Sequence, residues 1–203
     1  MFDFLKKKKP AVKSDNDYKT EVVRINAELA EQDRLLAIAK AAEEQYEIDH
    51  DKAKLISAYE SVICRRPPLR SNSRVQKLAK LYIEEGRTKE AMVFLNQCVS
   101  KKLLPLRIIR SMQADMYKKD GRYSEAIEFY IASELDNQHG ANIHEYQSFV
   151  KRIKPCVKKL GFGDHETSEI ITILDRHIRR GSVNETALID EYRAFMRNNS
   201  ITK

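Results

Sequence analysis

Tryptophan is absent from these 203 residues, and glycine and proline number only six and five. A β-rich fold of many short strands needs many chain reversals, so this scarcity excludes one and leaves an all-α chain. The three cysteines, Cys64, Cys98 and Cys156, are isolated, odd in number and without C-x-x-C spacing. Neither a disulfide framework nor a zinc site is expected, and the chain reads as a resident of a reducing compartment. No run approaches the roughly 18 apolar residues of a membrane span, and the N-terminus lacks the apolar stretch of a secretion signal. A cytoplasmic location is the expectation.

The patterns of catalysis are missing too. His50, His139, His144, His165 and His177 are scattered, with no H-E-x-x-H and no His/Cys pair at ligand spacing. The group Asp164, His165, Glu166, Glu169, Asp175 and His177 reads as a polar helix face opposite a row of isoleucines, with Asp164 as a helix cap. Gly161-Phe162-Gly163 follows a helical pattern rather than a strand and lacks the third glycine of a phosphate loop. The serines fall in caps or helices, outside any nucleophile-elbow context. No catalytic, cofactor-binding or metal-ligating residue is expected, and the chain reads as a non-enzyme.

Charge is what the sequence has in abundance: 33% of residues are Asp, Glu, Lys or Arg, with a net charge of +7. Its placement is uneven. Residues 61–110 hold twelve Lys or Arg against three Glu, whereas residues 111–136 hold three basic and six acidic residues. A polarised surface of this kind can steer an acidic partner, though periodicity alone favours solvated helix faces of a basic protein.

Along the chain, residues 1–16 read as a flexible basic arm around Lys6 to Lys9. Its Phe2, Phe4 and Leu5 beside those lysines allow weak contact with an anionic membrane. Residues 17–72 read as N-terminal helices. The first, about Asp17 to Ile48, places Val22, Ile25, Leu29 and Leu36 on one seam with Leu35 and Ile38 beside it. Gln32 and Glu43 interrupt that seam, which favours packing on the next helix over a homodimeric coiled coil. That next helix, Lys52 to about Cys64, turns Leu55, Ile56, Tyr59 and Val62 inward and stops before Pro67-Pro68.

Residues 73–140 carry the strongest signal. Leu81 to Leu95, LYIEEGRTKEAMVFL, returns 35 residues later as Met116 to Tyr130, MYKKDGRYSEAIEFY, with six of fifteen positions identical. Each copy is an apolar helical pattern running into Gly-Arg, then a second amphipathic pattern opening on Glu-Ala. Two antiparallel helices joined at Gly86 or Gly121 follow, and such a hairpin buries its apolar face only by stacking on neighbours. Ser73 with Gln76 forms a capping box for the first of these helices, and Pro105 suits the start of the third.

In residues 141–203 the repeat fades. Asn142 with Glu145 caps a helix bent at Pro155, Gly161-Phe162 stops it, and two further helices follow, the last capped by Ser182 with Glu185. These three helices are expected to cover the open end of the stack.

The two matching units resemble tetratricopeptide repeats. Val75, Leu78, Ala79 and Tyr82, then Ala91 and Leu95, stand on the repeat positions in the first; Arg110, Gln113, Ala114 and Tyr117, then Ala126 and Tyr130, do so in the second. A weaker third copy lies upstream at Ala39, Ala42, Glu43 and Tyr46, then Leu55, Tyr59 and Pro67. The resemblance implies an α-solenoid of helical hairpins whose first helices line a concave surface for a peptide or protein. Carried over by position, that surface includes Ser73, Gln76, Lys80, Ile83, Ser111, Asp115 and Lys118. Gln76, Lys80, Ser111 and Asp115 do not reproduce the Lys/Asn/Arg clamp with which one subgroup grips a C-terminal carboxylate. The leading expectation is therefore an adaptor or scaffold for a protein or peptide, with an acidic one favoured by charge. The alternative is a nucleic-acid-binding accessory factor using Arg65, Arg66, Arg70, Arg74 and Lys77, or the group Lys151, Arg152, Lys154, Lys158 and Lys159.

Overall fold

The computed structural model describes residues 15–135, 143–179 and 184–200, except for the side chains of residues 15–17, 143–146, 179 and 200. The arm at 1–14 and the caps expected from Asn142 and Ser182 lie outside the described residues. Among them the structure is all α-helix, with no strand. The chain divides between Arg70 and Ser71 into two compact units.

The first unit is a hairpin of α1 (Asp15–Asp49) and α2 (Lys52–Ile63). Asp15 and Asn16, expected in the arm, are already helical. Without a glycine at the turn, the chain puts His50 into the left-handed region at φ +51°. Asp49 accepts the Asp51 N–H at 2.9 Å and the Lys54 ammonium at 3.1 Å, and Asp51 caps α2 through the Lys54 N–H. These hydrogen bonds, that from the Asp51 backbone first, pull the Asp49 carboxyl down from 3.8 to about 2. Leu55, Ile56, Tyr59 and Val62 of α2 are buried as their spacing predicts, and the Tyr59 hydroxyl donates to Glu43 at 2.6 Å. Glu43 thus serves a hydrogen bond where an apolar seam residue was sought. Gln32 does the same: its side chain donates to the Pro68 carbonyl at 3.0 Å and accepts the Arg70 N–H at 2.9 Å.

Packing of the whole α1 seam is corrected by the structure. Leu35 and Ala39 are fully buried, but Val22, Ile25, Leu29 and Ile38 are exposed. The reason is length: at about 1.5 Å per residue a 35-residue helix runs about 50 Å, and a 12-residue partner covers only about 18 Å of it.

The second unit opens with two hairpins, α3 (Asn72–Glu84) with α4 (Thr88–Ser100) and α5 (Leu106–Lys119) with α6 (Tyr123–Leu135). The 35-residue period is reproduced in the backbone of their turns. Gly86 and Gly121 take φ +73° and +76°. The Arg87 N–H bonds the Tyr82 carbonyl at 2.8 Å and the Arg122 N–H bonds the Tyr117 carbonyl at 2.8 Å, so each glycine closes its helix with the same left-handed stop. Each following arginine lies over the tyrosine ring, at 4.7 Å for Arg87 and 4.5 Å for Arg122, and pairs with Glu90 or Glu125. Tyr82 meets Phe94 edge-on and Tyr117 meets Phe129 at a tilt, with ring centroids 5.8 and 5.0 Å apart. Ala79, Ala91, Ala114 and Ala126 are all fully buried, as small residues between closely approaching helices should be.

Two helix starts differ from expectation. α3 begins one residue before Ser73, with Ser71 in extended backbone at its N-cap and no side-chain cap hydrogen bond, so Ser73 and Gln76 form no capping box. Three polar residues in a row, Ser71-Asn72-Ser73, each suit a cap, and the chain uses the first. Pro105 occupies the N-cap of α5, just outside the helix.

The departures of the second repeat from the pattern it resembles have structural reasons. Gln113, nearly buried, donates to Asn96 at 3.1 Å and fixes α5 to α4. Arg110 donates to the Ala132 carbonyl at 3.1 Å and pairs with Glu185 at 2.9 Å, joining α5, α6 and the last helix.

Beyond Leu135 come α7 (Ile143–Lys159), α8 (Asp164–Arg179) and α9 (Glu185–Ser200). They share one core with α5 and α6, in which Tyr130, Phe149, Ile153, Ile170, Leu174 and Tyr192 are almost wholly buried. Gly161 at φ +82° and the nearly buried Phe162, whose N–H bonds Val157, end α7 with a glycine stop and its apolar clasp. Pro155 sits inside α7. α8 starts at Asp164 with Gly163 before it, and Glu166 reaches back to the Gly163 N–H at 2.7 Å. Asp164 is thus the first helical residue rather than the cap, paired with Lys154 at 2.9 Å. For α9 the cap is Asn184, whose side chain accepts the Ala187 N–H at 3.2 Å. α9 returns to α6: the Tyr192 hydroxyl meets Ser124 and Arg193 forks onto Glu128 with two 2.8 Å bonds.

Candidate partner-binding groove

Helical period places Gln76 and Lys80 on one face of α3, and Ser111 and Asp115 on the corresponding face of α5. Repetition of the hairpin sets these faces side by side, with Lys119 of α5 donating to the Ile83 carbonyl at the C-terminal end of α3. That contact offers an ammonium to the negative end of a helix dipole. The concavity between them has a volume of about 350 Å³. Gln76, Lys80, Ser111 and Asp115 line it, joined by Arg107, Ile108 and Met112 of α5, Ser133 and Glu134 of α6, and Ser148 and Arg152 of α7.

Its polar lining is mutually braced. Tyr130 donates its hydroxyl to Asp115, and burial, aided by that carboxylate, drives the Tyr130 hydroxyl far above its ordinary 10, so it stays a donor. Arg152 donates to Ser111 and lies 6.0 Å from the Tyr130 ring centroid. Three cations, Lys80, Arg107 and Arg152, face two carboxylates, Asp115 and Glu134. Such a mixed lining suits a peptide with polar and acidic groups better than a run of phosphates.

The other residues expected in the groove lie elsewhere. Ser73 is exposed and Ile83 half-buried, and neither lines the cavity. Lys118 lines a second concavity of about 370 Å³ with Asp115, Lys119, Tyr123, Pro155 and Lys159. Arg152 was read only as a possible nucleic-acid contact, and Ser148, Glu134 and Arg107 escaped the sequence reading. The repeat register stops at α6, so nothing in the spacing brings α7 to the cavity, and Arg107 lies a turn ahead of the positions carried over.

The residues proposed for nucleic acid divide between the two units. Arg65, Arg66 and Arg70 belong to the first, where Arg65 pairs with Glu31 at 3.1 Å. Arg74 and Lys77 stand half-buried on α3, and an Arg74 nitrogen reaches the Ser71 hydroxyl at 3.5 Å. Within the second basic group, Lys154 is tied to Asp164 while Arg152 and Lys159 line the two concavities.

In the polar cluster of α8, His177 lies 2.8 Å from Glu191 of α9, which also holds Arg176. Among the described residues no group of three or more His, Cys, Asp or Glu side chains is placed to hold a metal ion. None of the described helices is long and apolar enough to cross a membrane.

Residues 75–100, from the first turn of α3 to the end of α4, match the family model described as Tetratricopeptide repeat. No curated protein and no solved structure matches the chain. Repeats of this kind serve protein–protein interaction in general. With one repeat matched, the same turn built again at Gly121 and helices without a strand among the described residues, the chain is a tetratricopeptide-like helical repeat protein.

Proposed function

We propose that the protein is an adaptor that holds a segment of another protein, rich in acidic and polar side chains, in the groove of α3, α5 and α7. The observation that carries this reading is the concavity itself. It is large enough for several side chains, it opens on the first-helix faces of both hairpins, and Lys80, Arg107 and Arg152 bring cations to it. Buried apolar contact from Ile108 and Met112 would supply affinity, while the cations set register and preference.

Capture from the native cell, followed by mass spectrometry of what co-elutes, identifies the partner. The double reversal Lys80→Glu with Arg107→Glu alters two exposed side chains and should weaken capture at least tenfold while leaving the thermal midpoint unchanged. Undiminished capture by that variant removes the groove from the account.

A further inference from the structure

The outer part of α1 has an apolar stripe that its hairpin partner α2 does not cover. Tyr18, Val22, Ile25 and Leu29 are 57%, 54%, 44% and 57% exposed. Their spacing of four, three and four is the a/d pattern of a coiled coil, with Val22 and Leu29 at a and Tyr18 and Ile25 at d. Scattered surface apolar residues need no explanation, but four consecutive seam positions on three turns of one helix ask for a partner helix. The stripe ends where Gln32, the next seam position, is committed to Pro68 and Arg70.

Charges beside the seam decide which helix fits. Glu21 and Glu28 occupy g, and Lys19, Asn26 and Asp33 occupy e. In a parallel pair with a second copy, Glu28 would face Asp33 and Glu21 only Asn26. In an antiparallel pair, Glu21 would face Glu28. Either arrangement brings like charges together, and e and g pairs are what set partner choice in coiled coils. A helix with Lys or Arg at its flanks turns Glu28 and Asp33 into attractive pairs and competes with Arg24, 3.4 Å away, for Glu21. This local sign opposes that of the chain as a whole, which carries +7.

We propose that Tyr18 to Leu29 of α1 is a docking seam for a helix of another protein, one with an apolar heptad stripe flanked by lysine or arginine. Four layers make a short contact, so the complex is weak and exchanging unless the partner is also held elsewhere. The seam shares no residue with the groove of α3, α5 and α7, so either site can fail without the other.

Fluorescence anisotropy with two synthetic three-heptad peptides tests this. Both carry Leu at a and d; one has Lys at every e and g, the other Glu. The full chain should bind the Lys-flanked peptide at least about tenfold more tightly than the Glu-flanked one, and binding should weaken as salt rises. Val22→Asp with Ile25→Asp should lose the Lys-flanked peptide at least about tenfold, although it adds negative charge, because the seam rather than the charge supplies affinity. Both positions are exposed, so the variant should unfold at the same temperature as the parent. Equal affinity for the two peptides, or binding that survives the double substitution, overturns the proposal. So does a parent chain that light scattering shows to be dimeric and that the double substitution makes monomeric, since the seam would then belong to a second copy.

Discussion

Replacing Gly121 by alanine isolates the backbone term at a repeat turn, because a Cβ added there meets no atom within 4 Å. What it meets is its own carbonyl: at φ +76° an L-residue sits in the left-handed region, at a cost of about 1–2 kcal/mol. Loss of glycine's freedom in the unfolded chain returns about 0.4–1 kcal/mol, so the net loss should be about 1 kcal/mol. Gly86, at φ +73° and equally unobstructed, should lose the same, and the two should add to about 2 kcal/mol because the turns share no hydrogen-bond partner. Gly121→Asn should recover most of the loss, since asparagine tolerates this conformation. Urea titration followed by circular dichroism measures it: the midpoint should fall and the slope stay constant. Asparagine as damaging as alanine would refute the reasoning, as would an alanine variant as stable as its parent.

Further outcomes follow from the same structure. Lys102 is exposed and ends α4 at φ +52°, with the Leu103 N–H closing on Cys98; Lys102→Gly should raise stability by about 1 kcal/mol in the same titration. At acid pH, Asp49 carries a folded value of about 2 against 3.8. Its contribution is complete above about pH 4 and is lost as pH falls towards 2, so the α1–α2 hairpin should weaken in that window when followed by amide exchange. At alkaline pH the sign reverses in cause but not in effect. Burial raises the hydroxyls of Tyr130 and Tyr192 above 10, so their contribution is present below pH 10 and is lost above it. Tyr130→Phe with Tyr192→Phe should flatten that alkaline decline.

The second unit was legible in the sequence where one residue type alone meets a physical need. Glycine at a left-handed stop and alanine at a close helix approach repeat with the period, so Gly86, Gly121 and the four alanines marked the hairpins. Where an ordinary residue takes the unusual role, the signal vanishes: His50 and Lys102 adopt positive φ with nothing in their identity to announce it. Periodicity likewise found the α1 stripe but not its surroundings, because spacing records which face is apolar and not how long the neighbouring helix is. Gln113 and Arg110 read as blemishes in a repeat and turned out to be ties between helices. In the groove, α3 and α5 residues could be placed from their shared register. The α7 contribution could not, since the repeat ends with α6 and only the folded chain brings Arg152 beside Ser111.

The central claim is that a partner segment lies along α3, α5 and α7, and hydrogen exchange on the purified complex of the chain with its captured partner tests it most directly. Slowed exchange should concentrate in residues 76–80, 107–115 and 148–152, and disappear with the Lys80→Glu, Arg107→Glu variant. Protection confined to α2, α8 or α9, with those three stretches unchanged, would contradict it.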